Sequence, residues 1–135
     1  MSYLVDSDVL IDYLAGRGDA IALMQRIEPE GFGLSIISLA EVFEGIYRAP
    51  DSKAREREFR IVLRRMSVFA VSRRVALRGA RIRGDLRARG LPLPLTDVLI
   101  AATAIHRNLI LVTRNLRHYQ RIPDLKLYQE PPIPT

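Results

Sequence analysis

The sequence has no cysteine, and only two of its 21 basic residues, Lys53 and Lys126, are lysine. Without cysteine there are no disulfides and no thiolate metal sites. No apolar run approaches the roughly 20 residues that a membrane span takes. The opening "MSYLVDSD" lacks the basic start and long apolar stretch of a signal peptide, so a cytoplasmic protein with no membrane contact is expected. There is no repeat and no low-complexity stretch apart from "EPPIPT" at the end. What is present fits one soluble domain with one core: 135 residues, 48% hydrophobic, mean hydropathy +0.03.

The formal charge of +6 is unevenly distributed. Residues 1–50 hold eight acidic and three basic residues, whereas residues 55–89 hold twelve arginines and three acids. Guanidinium forks suit phosphates and carboxylates, which makes a polyanion such as nucleic acid one partner class. A solvated helix face is the other reading of the same run.

Short apolar runs alternate with helical patterns. "SYLVD" predicts a strand ending at Asp6, with Ser7 as cap of the following helix. "AIALMQRIEP" predicts a second helix and "FGLSII" a second strand. Ser38 and Glu41 have capping-box spacing at the start of "SLAEVFEGIYRA". Phe59, Val62, Leu63 and Met66 mark a helix over 52–66, and "SVFAV" a third strand. Val75, Gly79, Ile82 and Leu86 mark a helix ended by Gly90. Thr96 caps "DVLIAATAIHR", which ends at Asn108. "LILVT" is a buried strand, and "LKLY" adds a short strand at an edge. The alternation predicts an α/β fold: a short parallel sheet of four or five strands with helices on both faces.

In open sheets of this kind, ligands sit beyond the carboxyl ends of the strands. Asp6 ends the first strand, where a buried lone carboxylate is costly unless paired or bound to a cation. It also suits an Asx turn or a helix cap. Glu41, placed in the first turn after strand two, also suits the capping box. Asp97 also suits the positive end of its helix. Asp8 and Asp12 lie one turn apart, away from the apolar arc of their helix, and read most simply as solvated; Asp8 is also a candidate to support Asp6. Local pattern alone does not bring Asp97 to the same end of the sheet. His106 and His118 read as structural or surface groups outside the carboxylate set.

Four stretches in this order, "LVDSDVLIDYL", "SIISLAEVFEGI", "LPLTDVLIAATAIHRNLILVTRN" and "LRHY", resemble the PIN-domain ribonucleases, and among them the VapC-type toxins of bacterial toxin–antitoxin pairs. The likeness runs from residue 3 to about 128. It implies a single PIN-like domain over 1–130 and a short Pro-rich tail at 131–135. It also implies a pocket of Asp6, Glu41 and Asp97 as catalytic acids, with Asp6 and Asp97 as ligands of Mg²⁺ or, in its place, Mn²⁺. The family's fourth acid is replaced by Asn115, which implies weaker or single-metal binding. Thr113, Arg114, Ser7 and Asp8 would support the site. The implied activity is metal-dependent endoribonuclease cleavage. The implied partners are an RNA substrate such as tRNA or rRNA, a VapB-type antitoxin and a second copy of the chain.

Such a set of oxygen donors fits a hard divalent cation rather than zinc. Packed carboxylates repel one another, so at least one should hold its proton unusually tightly. The main alternative is a non-catalytic RNA-binding or protein-binding module on the same fold. An aspartyl-nucleophile phosphatase is disfavoured by the scarcity of lysine. A phosphoacceptor receiver is disfavoured because Ser72, Arg73 and Arg74, rather than an aspartate, follow the third strand.

Overall fold

A computed structural model describes residues 2–130, so the expected tail at 131–135 lies outside the described residues. Four parallel strands, β1 (Tyr3–Val5), β2 (Phe32–Ser35), β3 (Ser67–Phe69) and β4 (Ile110–Val112), form one sheet in the order β3-β2-β1-β4. Between them run α1 (Ser7–Leu14), α2 (Gly18–Ile27), α3 (Ile36–Arg48), α4 (Ser52–Leu63), α5 (Arg73–Ala88) and α6 (Leu95–Arg107). The four-residue α7 (Leu116–Tyr119) follows β4.

The two-residue period of the strands sorts the core into two layers. Leu4 and Leu111 are register partners and face the layer of α5 and α6, with Leu86, Val98, Ala101 and Tyr119. Their neighbours Val5 and Val112 face the opposite layer with Val9, Leu23, Val42 and Phe59. Both faces of the sheet are therefore covered, as the unbroken "LILV" run requires. Gly33 is fixed by packing: a Cβ there would lie 2.5 Å from the Ser67 carbonyl oxygen on β3.

Several boundaries differ from the sequence expectation. Asp6, not Ser7, caps α1, its side chain accepting from the Ser7 N–H. Ile36 and Ile37 belong to α3 rather than to β2, and the cap is Ser35, whose hydroxyl accepts from the Ile37 N–H. Ser38 is buried inside that helix, so the Ser38–Glu41 capping box does not form, and Glu41 sits in the second turn. Thr96 likewise lies within α6, which follows Pro94 without a side-chain cap. α4 stops at Leu63 and β3 at Phe69, both earlier than expected. The "LKLY" segment contributes a single parallel bridge, Leu127 to Leu111, at the outer side of β4.

The direction of α6 settles where Asp97 lies. Asn108 ends the helix in the left-handed conformation, φ 56°, and β4 begins two residues later. The end of α6 is thus tied to the start of β4, and its first turn must lie toward the carboxyl ends of the strands. α5 also starts at that end, because it follows β3. The two helices run side by side in the same direction, with Gly79 against Leu99. The Gly90–Pro94 segment returns along α5, its Leu93 carbonyl accepting from Arg83 Nε at 3.0 Å.

Candidate active site

The chain runs from β1 outward to β2 and β3, and then crosses back to place β4 on the other side of β1. This reversal opens a crevice between the carboxyl ends of β1 and β4. Asp6 follows β1 and Thr113 follows β4, joined where the Asp6 N–H donates to the Val112 carbonyl at 2.9 Å. Asp6 is 6% exposed. Its Oδ1 accepts from the Ser7 N–H and its Oδ2 from Thr113 Oγ1, both at 2.8 Å. Thr113 is itself held, because the Asn115 N–H donates to its hydroxyl at 3.0 Å.

Asp8 turns into the same crevice instead of toward solvent. Its Oδ2 accepts from the Arg114 N–H at 3.0 Å and its Oδ1 from the Val9 N–H at 2.7 Å. Asp97 enters from the first turn of α6, within electrostatic reach of both Asp6 and Asp8. Burial pushes Asp6 from the ordinary 3.8 up to about 7, with the Asp8 charge adding to the rise and the Thr113 and Ser7 hydrogen bonds opposing it. Asp8 and Asp97 are raised too, burial again being the main cause. Three acids that resist ionisation together are the electrostatic signature of a cation or proton site.

Glu41 stands one step away. It joins the cluster through Ser7, whose hydroxyl donates to Glu41 Oε1 at 3.0 Å. Arg114 does not aim into the pocket: Nε meets Asp12 at 2.8 Å and Nη2 meets Asp19 at 3.1 Å. Asp12, read from the sequence as solvated, is thus one anchor of Arg114.

Two residues of α7 were not expected here. His118 Nδ1 lies 2.9 Å from Asn115 Nδ2, and the ring lowers the pKa of Asp97. Tyr119 is 1% exposed, and its hydroxyl has no hydrogen-bond partner. Burial, then the charges of Asp6, Asp97 and Asp8, raise the pKa of that phenol, which places it beside the acids. The sequence signals for these two were the "LRHY" stretch itself and their position three and four residues after Asn115, one turn of a short helix.

Among the described residues, no three carboxylate or imidazole groups stand close enough to form a ready-made metal cage. The donor chemistry nevertheless fits Mg²⁺ or Mn²⁺. The three acids are hard oxygen donors and gain by neutralisation. Mg²⁺ needs only one or two carboxylates and keeps several waters.

The PIN domain family matches residues 3–125, and the chain belongs to that family. Ribonuclease VapC1 of Methanocaldococcus jannaschii is 30% identical over 94% of this chain and 87% of that protein. The tRNA(fMet)-specific endonuclease VapC of Salmonella typhimurium is 28% identical over 94% of this chain and 96% of its own length. Among solved structures, VapBC2 from Rickettsia felis, bound to a DNA fragment from their promoter, superposes with a TM-score of 0.86 at 25% identity. That match covers 95% of this chain and 98% of that one.

Proposed function

We propose that this PIN-domain protein is an RNA-cleaving enzyme dependent on Mg²⁺ or Mn²⁺, the toxin of a VapBC-type pair. The observation that carries the reading is the meeting of Asp6, Asp8 and Asp97 at the β1/β4 crevice, where burial raises all three pKa values and the Asp8 charge adds to the rise at Asp6 and Asp97. Family membership and relatives named as VapC ribonucleases support the RNA substrate. VapBC complexes among the structural neighbours support a VapB-type antitoxin partner. A homodimer and a cytoplasmic site of action, where RNA is found, complete the proposal.

Asp6 and Asp97 would hold the cation, with Asp8 beside them and the Asn115 amide oxygen at the position where the resemblance implies a fourth acid. When bound, the cation neutralises charge at the scissile phosphate and makes an attacking water more acidic. Ser7 and Thr113 fix the two oxygens of Asp6, so its orientation is set before substrate arrives. Glu41 accepts the proton of the attacking water on the oxygen that Ser7 does not engage. The new O–P bond forms as the P–O3′ bond breaks, and the 3′ oxygen takes a proton from solvent. The products are a 5′-phosphate and a 3′-hydroxyl.

The test incubates purified protein with total RNA, with and without Mg²⁺ or Mn²⁺. Metal-dependent cutting that disappears in both Asp6→Asn and Asp97→Asn supports the reading. Full activity in EDTA removes the metal step. RNA binding without cutting, unchanged by Asp6→Asn, replaces the enzyme with a binding module.

A further inference from the structure

Resting on the ribonuclease reading, we infer that one flank of α5 is a binding surface for the sugar-phosphate backbone of folded RNA, remote from the cut. Residues 73–89 hold seven arginines against a single acid, Asp85. Arg74, Arg78, Arg81 and Arg89 recur with Asp85 at spacings of four, three, four and four, which places them on one side of the helix. All four arginines are exposed. The buried Val75, Gly79 and Leu86 take the adjacent face.

What sets this flank apart is that a whole helix of arginines goes without a carboxylate partner among the described residues, whereas the unpaired Arg57 and Arg64 stand among paired neighbours. Arg55, Arg60 and Arg65, in and just after α4, each meet a carboxylate, as do Arg17, Arg26 and Arg114. None of the seven in α5 and its cap does so among the described residues. A run of uncompensated like charge is self-repulsive, so it needs an external anion to be favourable. A second copy of the same flank would only add to the repulsion, which argues against a self-contact there.

The flank starts at the same end of the sheet as the acidic crevice and runs away from it. α5 begins at the carboxyl end of the sheet, where that crevice opens. Its arginine flank borders a cleft of about 230 Å³, where Arg78, Arg81 and Arg89 outnumber the two acids, Asp85 and Asp124. Ile105, near the end of α6, places that cleft toward the amino ends of the strands, away from Asp97. From Arg74 to Arg89 the flank is about 22 Å long at 1.5 Å per residue. An RNA that used it all would extend well past the scissile phosphate. The substrate class is therefore a folded RNA with backbone on both sides of the cut, and a short oligonucleotide would engage only the acidic end.

The experiment measures affinity for a folded hairpin transcript in EDTA over a salt series. It compares R78Q/R81Q with R57Q/R64Q, two exposed arginines on the α4 side that have no ion pair. The charge change is identical in both. The α5 double should lower the slope of log affinity against log salt by about one and a half, and weaken binding about tenfold near physiological salt, as loss of two phosphate contacts requires. R57Q/R64Q should lose less than a third as much, and R78K/R81K should keep the parental slope. With Mg²⁺, cleavage of the hairpin by R78Q/R81Q should fall at least tenfold more than cleavage of a six-nucleotide RNA. Equal weakening by the two doubles would reduce the effect to bulk charge and overturn the inference. No weakening by either would also overturn it, and would assign these arginines to a protein partner. If the protein cuts no RNA at all, the enzyme reading fails, while the salt series still decides whether α5 binds RNA.

Discussion

Replacing Asp6 with asparagine should make the protein more stable at pH 8 while abolishing its cutting of RNA. Asp6 is 6% exposed, and burial raises its pKa from 3.8 to about 7. Below pH 4 the residue is protonated in both folded and unfolded chains and costs nothing. Between pH 4 and 7 the unfolded chain releases its proton while the folded one keeps it, so stability falls as pH rises. Above pH 7 the cost is fully developed. The gap of about three between the two pKa values corresponds to about 4 kcal/mol. Asparagine removes that cost but cannot accept from both Ser7 N–H and Thr113 Oγ1, which sacrifices about 1 kcal/mol. The net expectation is a gain of about 3 kcal/mol at pH 8 and a loss of about 1 kcal/mol at pH 4, from these same contributions.

Urea unfolding in EDTA at the two pH values measures this directly. Mg²⁺ at a hundred times its dissociation constant should then stabilise the parent by about 2.7 kcal/mol and the variant far less. A variant less stable than the parent at pH 8, by the same amount as at pH 4, would refute the reasoning. In that case Asp6 would be an ordinary ionised helix cap, and its cluster no trap for a cation.

Two further substitutions probe the frame around it. Thr113→Val removes the hydroxyl that both donates to Asp6 and accepts from the Asn115 N–H, and should lower metal affinity or kcat about 10- to 100-fold. Thr113→Ser should retain most of both, measured by Mn²⁺ titration and RNA cleavage. Gly33→Ala drives a methyl into the Ser67 carbonyl and should cost about 1 to 3 kcal/mol in thermal or urea unfolding. An unchanged melting temperature would mean that β2 and β3 separate more easily than their register implies.

The sequence made β1, α5 and α6 legible because each has a distinct stop: Asp6 after an apolar run, Gly90, and Asn108 in the left-handed region. It misplaced the start of α3 because Ile36 and Ile37 satisfy a strand and a helix pattern equally, and two serines, Ser35 and Ser38, offer themselves as caps. Pairing decides between them: Ser35 is still in register with Phe69 on β3, so the helix begins after it. The site was only half visible. Asp6 and Asp97 stood out as acids next to apolar runs, but their meeting depends on α6 running away from the crevice, a consequence of its short link to β4. Asp8 points away from the apolar arc on the helical wheel, which suits solvent as well as a role beside Asp6. The half-buried side chain meets the Arg114 N–H after β4, a partner that only the fold supplies. His118 and Tyr119 lie in a four-residue helix, too short to show a period.

The uneven charge along the chain has a spatial counterpart. On the acidic side Arg114 is consumed by Asp12 and Asp19, so the crevice keeps its negative character. On the α5 side positive charge is left uncompensated. A polyanion is thus drawn along α5 and repelled at the crevice, and the screening length of about 8 Å at physiological salt keeps the two effects local. One carboxylate about 6 Å from a phosphate costs roughly 0.7 kcal/mol at the dielectric of water, or about threefold in affinity. Asp97→Asn, the substitution that should stop cutting, should therefore tighten RNA binding about threefold in EDTA at pH 8, with the salt slope almost unchanged. Asp97 is the better probe than Asp6, because the Asp6 side chain also caps α1 and accepts from Thr113. Fluorescence anisotropy with a folded transcript reads the change. Binding left unchanged would mean that RNA never brings a phosphate to the acids, and the crevice would then have to be assigned to some other ligand.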